Sequence, residues 1–252
     1  MKDVKTAKNM IILIVVVILA CLLTYWISRR ERDRNMTDFA QRLISEGPSQ
    51  TTESIEEVKR NIALYEKRIE QHVEDAAKTG AYWKILAIRL QDRGLHGEAL
   101  EALKRAIYYT PTDPALHYAI GLSAGTMAKS IHLFPGTETD EREQYFAVAE
   151  EAYLRAIEID GRYLRPRFGL AVLYVFELDR PDEAIPHLEL YLQISRNDVD
   201  TMFVLARAYF MLENYQAAVE LYDRIVTLTR DEQKRIDAQN NRQIVMERLY
   251  GG

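Results

Sequence analysis

A single cysteine, Cys21, stands among the 252 residues, which excludes an internal disulfide and any multi-thiolate zinc or iron–sulfur site. Glycine (11) and proline (7) are sparse, and strands joined by tight turns need both, so long helices are favoured over an all-β sandwich. The net charge is −5 and no block of lysine and arginine interleaves with aromatics, so no face is offered to nucleic acid. The five histidines, at 72, 96, 117, 132 and 187, show neither H-x-H nor H-E-x-x-H spacing, and no G-x-x-x-x-G-K loop is present. Neither a metal site nor a cofactor is expected. What is present is an ordinary globular composition, 48% hydrophobic and 28% charged, on a length that allows one or two domains.

One long hydrophobic run exists. Residues 10–27 (MIILIVVVILACLLTYWI) carry no charge and as a helix would nearly match the hydrocarbon core of a bilayer. Tyr25 and Trp26 sit at its edge with Arg29 and Arg30 beyond, the order expected at a headgroup boundary. The expectation is one transmembrane helix after a basic tail at 1–9, in a single-pass protein of a bacterial inner membrane. Lysine and arginine counts alone slightly favour the cytoplasm for the rest, whereas a short basic tail before one span favours the extracytoplasmic side. An alternative stays open: Lys2, Lys5 and Lys8 before Ile18-Leu19-Ala20-Cys21 resemble a lipoprotein signal, with Cys21 the lipidated residue.

A juxtamembrane segment and linker, 28–53, contains Gly47 and Pro48. Ser54 with Glu57 forms a capping box opening an amphipathic helix over 54–79. Its apolar stripe, Ile55, Val58, Ile62, Tyr65, Ile69, His72 and Ala76, alternates spacings of three and four and needs a partner. Either the first repeat behind it or a second copy in a short coiled coil would serve.

From Gly80 the chain is repetitive. With Trp83 at position 4 of a 34-residue unit, Leu86, Ala87, Leu90, Gly94, Ala99, Leu103, Ala106 and Pro111 fall at 7, 8, 11, 15, 20, 24, 27 and 32. Small residues at 8, 20 and 27 suit two antiparallel helices at their nearest approach, and large ones fill the gaps. This pattern resembles the tetratricopeptide repeat (TPR). A further unit repeats it with Leu205, Ala206, Tyr209, Tyr215, Ala218, Tyr222 and Ile225. Between them lies a unit with Leu170, Ala171, Tyr174, Ala184 and Leu188, one extra turn residue, and Tyr191 at position 27. The second unit carries Ile120, Gly121, Ala149, Tyr153 and Ala156 with 16 extra residues around 131–145. The fold expected is all-α, a solenoid of four repeats (80–113, 114–163, 164–198, 199–232) and a capping helix at 233–252.

Gly121-Leu122-Ser123-Ala124-Gly125 matches the G-x-S-x-G of hydrolases, but it lies within a repeat helix with no strand before it, and no enzyme is expected. The resemblance implies protein binding through a concave groove lined by positions 2, 5, 9, 12 and 13 of each first helix. Those positions give Lys84, Ile88 and Gln91; Tyr118 and Leu122; Phe168, Val172, Val175 and Phe176; and Phe203, Arg207, Phe210 and Met211. Repeats that clamp a carboxylate carry lysine and asparagine at 5 and 9 of the first unit, whereas Lys84 and Ile88 stand here. The expectation is a membrane-tethered adaptor or scaffold for a protein or peptide partner, like bacterial TPR proteins near translocons or in cytochrome or envelope assembly. The alternative is a self-assembling component whose groove is filled by its own helices or by the insertion, where Leu133, Phe134 and Pro135 precede acidic residues.

Overall fold

The computed structural model describes residues 54–131 and 139–251. They belong to two compact units, 1–68 and 69–252, each taken by itself. All the regular structure among the described residues is helical: α1 (Ile55–Asp92), α2 (His96–Tyr109), α3 (Pro114–Ile131), α4 (Thr139–Ile159), α5 (Leu164–Phe176), α6 (Pro181–Ile194), α7 (Val199–Met211), α8 (Tyr215–Leu228) and α9 (Glu232–Tyr250).

In the first unit the described part is the start of α1. The Glu57 N–H donates to the Ser54 Oγ at 3.3 Å, and Glu56 and Glu57 put negative charge at the positive end of the helix dipole.

In the second unit α1 runs on through Thr79 and Gly80, so the boundary expected at 79/80 is not a helix end. Glycine there answers to packing, because a Cβ on Gly80 would stand 2.8 Å from the Tyr109 Cβ on α2. Helices then pair in sequence as α3 with α4, α5 with α6, and α7 with α8, and α9 closes on α8. The small residues that marked the repeat occupy the closest approaches. Ala87, Ala171 and Ala206 on the first helices and Ala99, Ala149, Ala184 and Ala218 on the second are all completely buried. Leu103, Leu170, Leu188, Met202 and Ile225 fill the space between, each contributing about 1.5–3 kcal/mol of transfer free energy. At position 27 of the third unit Tyr191 stays half-buried, its ring 6.1 Å from that of Phe168.

The turns inside the first, third and fourth repeats share a left-handed residue. Gly94 has φ 74°, Asp179 φ 53° and Glu213 φ 59°, and the following Leu95 and Asn214 amides donate back to the Leu90 and Tyr209 carbonyls, both at 2.9 Å. Glycine takes this conformation freely, while a side chain there costs on the order of 1 kcal/mol. Glu213→Gly is therefore expected to raise stability by about 0.5–1 kcal/mol, read as a higher urea midpoint at unchanged slope.

The insertion goes mainly into helix. α3, at 18 residues, is five longer than α5, and α4, at 21, is seven longer than α6, so twelve of the sixteen extra residues lengthen the second pair. Residues 132–138, including Leu133, Phe134 and Pro135, lie outside the described residues.

Polar groups staple neighbouring helices. Gln91 Nε2 donates to the Ala119 carbonyl (2.8 Å) and to Ser123 Oγ (2.7 Å), tying α1 to α3. The Tyr174 hydroxyl donates to Glu150 (2.9 Å), and Arg180 joins Glu150 to Glu183 while stacking on the Tyr174 ring. Nearby, burial and the Arg167 guanidinium together push the His187 imidazole below its ordinary pKa, against a smaller opposing pull from Glu183. The unfolded chain takes up a proton near pH 6.5 that folded His187 resists, so this contribution is complete above that pH and is lost as the pH falls through it. Thermal melts of wild type and His187→Gln between pH 7.5 and 5 are expected to show the smaller acid-induced decline in the variant.

The membrane expectation is corrected. Among the described residues no helix is long and apolar enough to cross a membrane. The longest, α1, has the length, but Glu56, Glu57, Lys59, Arg60, Glu66, Lys67 and Arg68 charge it heavily. Residues 10–27 and Cys21, on which the span and the lipidation alternative rested, lie outside the described residues.

Candidate peptide-binding groove

The first helix of each pair presents one face to a shared track. Tyr118 and Leu122 on α3 meet Phe168 and Val172 on α5 around a cavity of about 220 Å³. Phe168 continues into a wider recess with Asp200, Phe203, Lys234 and Asn241. From Phe203, Val204 and Asn241 the track enters a second pocket of about 220 Å³, where Phe176, Arg207, Phe210, Tyr222 and Ile244 meet. Eight of the thirteen residues expected along the groove line this track: Tyr118, Leu122, Phe168, Val172, Phe176, Phe203, Arg207 and Phe210.

Lys84 and Ile88 are not among them. Lys84 Nζ is 2.5 Å from Asp113 Oδ2, at the turn leading into α3, so its charge is spent on a repeat-to-repeat ion pair. Ile88 is exposed on α1 and lines none of these cavities. Gln91 is likewise held by Ala119 and Ser123.

The capping helix α9, weighed from the sequence as an end cap or a groove filler, forms a wall of the groove. Asn241, Ile244 and Val245 complete the last pocket, so the final helix acts as a fourth groove helix, after α3, α5 and α7, as well as an end cap. Its polar composition hid this. The legible signal was Ala238, Asn241 and Val245 at spacings of three and four, with Ala238 and Val245 buried. Leu122, Phe176 and Ile244 remain 42%, 54% and 51% exposed, so along this track α9 is a wall and not a plug.

Charges in the groove are mostly matched. Glu177 lies between Lys129 and Arg142, both at 3.2 Å, and Arg142 also covers the Phe146 ring at 4.8 Å. Lys234 pairs with Asp200 at 2.6 Å. Arg207 differs: its guanidinium lies over the Phe210 ring at 5.6 Å, and among the described residues no carboxylate forms an ion pair with it. Burial raises the pKa of the Tyr222 hydroxyl beside it, partly offset by Arg207 and by a hydrogen bond from Asn241.

Ser123, of the G-x-S-x-G motif, is completely buried within α3, accepting from Gln91 with His96 Nδ1 3.5 Å away. It is a packing and stapling residue at a helix contact. A separate recess of Ile107, Ile120, Val148 and Leu154 shares no residue with the groove.

Paired helices with small residues at each crossing and a continuous face on the first helices define a TPR-type helical repeat protein. The model of the tetratricopeptide repeat matches residues 175–238, from the end of α5 into α9. A TPR repeat-containing protein of Borreliella burgdorferi is 23% identical over 181 residues, 72% of this chain and 76% of the relative. Among solved structures, MamA of Desulfovibrio magneticus RS-1 superposes with a TM-score of 0.53 at 16% identity, over 67% of this chain and 94% of that one. A thermophilic TPR protein of Thermus thermophilus gives 0.52 at 16%, over 70% and 86%. At these identities the likeness is one of fold.

Proposed function

We propose that this protein is a non-enzymatic adaptor or scaffold that holds a protein partner by a peptide segment laid along the groove from Tyr118 to Ile244. The observation that carries this reading is the pair of apolar pockets, joined through the Asp200–Lys234 recess, with Leu122, Phe176 and Ile244 left exposed, since apolar surface gathered in a concave track marks a binding site. Panning a random peptide library against the full chain tests it. Wild type should enrich peptides with aromatic and aliphatic anchors that lose binding to Leu122→Ser/Phe176→Ser. Peptides that bind both proteins equally would move the site elsewhere.

Self-association is a second reading, favoured by one observation. Along α1, Ile55, Ile62, Ile69 and Val73 are 69%, 51%, 61% and 63% exposed. Such a stripe suits a second copy. A sedimentation coefficient independent of concentration would remove this reading and leave the groove.

A further inference from the structure

We infer that the pocket between α5, α7 and α9 selects an internal acidic residue of the partner, Asp or Glu, carried between large apolar side chains, with Arg207 as its counter-ion. This rests on the groove being a peptide site. Phe176, Phe203, Phe210 and Ile244 surround Arg207, so a peptide filling the pocket strips water from the guanidinium. A desolvated cation is costly without an anion. The neighbouring groove cations already have theirs: Glu177 for Lys129, Asp200 for Lys234. Stacking on Phe210 leaves the edge of the guanidinium to a carboxylate, and the fork geometry of arginine favours a two-point contact. Asn241, turned to the Tyr222 hydroxyl, adds a neutral polar group on the opposite wall. An internal residue is favoured over a chain terminus by the track itself. Arg207 on α7 lies between α5 and α9, with the groove continuing from its pocket through Phe203 to Phe168 and the α3 side.

The test uses the full chain and labelled synthetic peptides of one apolar, aromatic host sequence. They carry Glu, Gln or Lys at the central position, and a fourth has a neutral centre and a free C-terminal carboxylate; binding is read by fluorescence anisotropy. The Glu peptide should bind about tenfold or more tightly than the Gln peptide, the range of a hydrogen bond to a charged group. Arg207→Gln should erase that difference, weakening the Glu peptide and relieving the desolvation cost that the Gln peptide meets in wild type, with the melting temperature unchanged, since Arg207 is an exposed side chain. Arg207→Glu should transfer the preference to the Lys peptide. Equal binding of Glu and Gln peptides to wild type would overturn the inference and leave the groove reading standing. Preference for the terminal carboxylate would overturn the internal-residue assignment. If no peptide binds wild type, and Leu122→Ser/Phe176→Ser changes nothing, both readings fail.

Discussion

Truncating Tyr153 to alanine is expected to destabilise the fold by about 4 kcal/mol, a large part of the ~5–15 kcal/mol that holds a domain together. The ring is buried between α3 and α5 at two glycines. A Cβ on Gly121 would stand 2.5 Å from Tyr153 Cε1, and one on Gly169 would stand 2.8 Å from its Cζ. Tyr118 covers the same ring at 6.0 Å between centroids. Neither glycine serves a turn. They exist because α3 and α5 close down on an aromatic, which makes a prediction of sign. In an unobstructed helix Gly→Ala gains about 1 kcal/mol from propensity. At 121 the methyl must displace a ring fixed on both sides, at an overpacking cost of about 1–3 kcal/mol, and the wedge should win because 2.5 Å leaves nothing to absorb. Gly121→Ala is thus destabilising beside Tyr153 and stabilising beside Tyr153→Ala. A double-mutant cycle by urea unfolding reads the reversal directly, and additivity within about 0.5 kcal/mol would contradict the wedge.

The second large effect is on binding. Phe176→Ala is expected to weaken a library-selected peptide by about 2 kcal/mol or more, roughly thirtyfold, with the urea midpoint changed by no more than about 0.5 kcal/mol. Phe176 is more than half exposed at the end of α5, where its ring lines the Arg207 pocket without a core to support. Phe203 provides the contrast. It packs at 6.1 Å from the Tyr222 ring and lies, half-buried, against the large core cluster, so Phe203→Ala should lose stability along with affinity. Isothermal titration beside chemical denaturation separates the two, and equal stability losses at 176 and 203 would show that Phe176 is core and not groove.

The repeat was legible because its small residues have a single physical cause. Ala99, Ala149, Ala184 and Ala218 recur wherever two helix backbones approach, and that requirement is written in residue size. The groove positions on α3, α5 and α7 followed from the same register. Lys84 did not, because Asp113, 29 residues on, meets it only once α1 and α3 are packed. Nor did α9. Its wall is made by Asn241 and Ile244 on a helix whose overall composition is polar, and only the packed neighbour α7 selects which face counts. The insertion at 131–145 showed in the sequence only as an excess over 34 residues, and the structure puts most of it into longer α3 and α4. The membrane expectation rested on one apolar run at 10–27, and among the described residues the longest helix, α1, is charged along much of its surface.

The central claim is that partners are held on the face made by α3, α5, α7 and α9. A photo-crosslinking amino acid placed singly at 122, 176 and 244, and as controls at 148 and 154 on α4, tests it with a peptide selected by the wild-type chain. Crosslinks at 122, 176 and 244 with none at 148 or 154 are the predicted result. Crosslinks confined to 148 and 154 would place binding in the separate recess beside Ile107 and contradict the account.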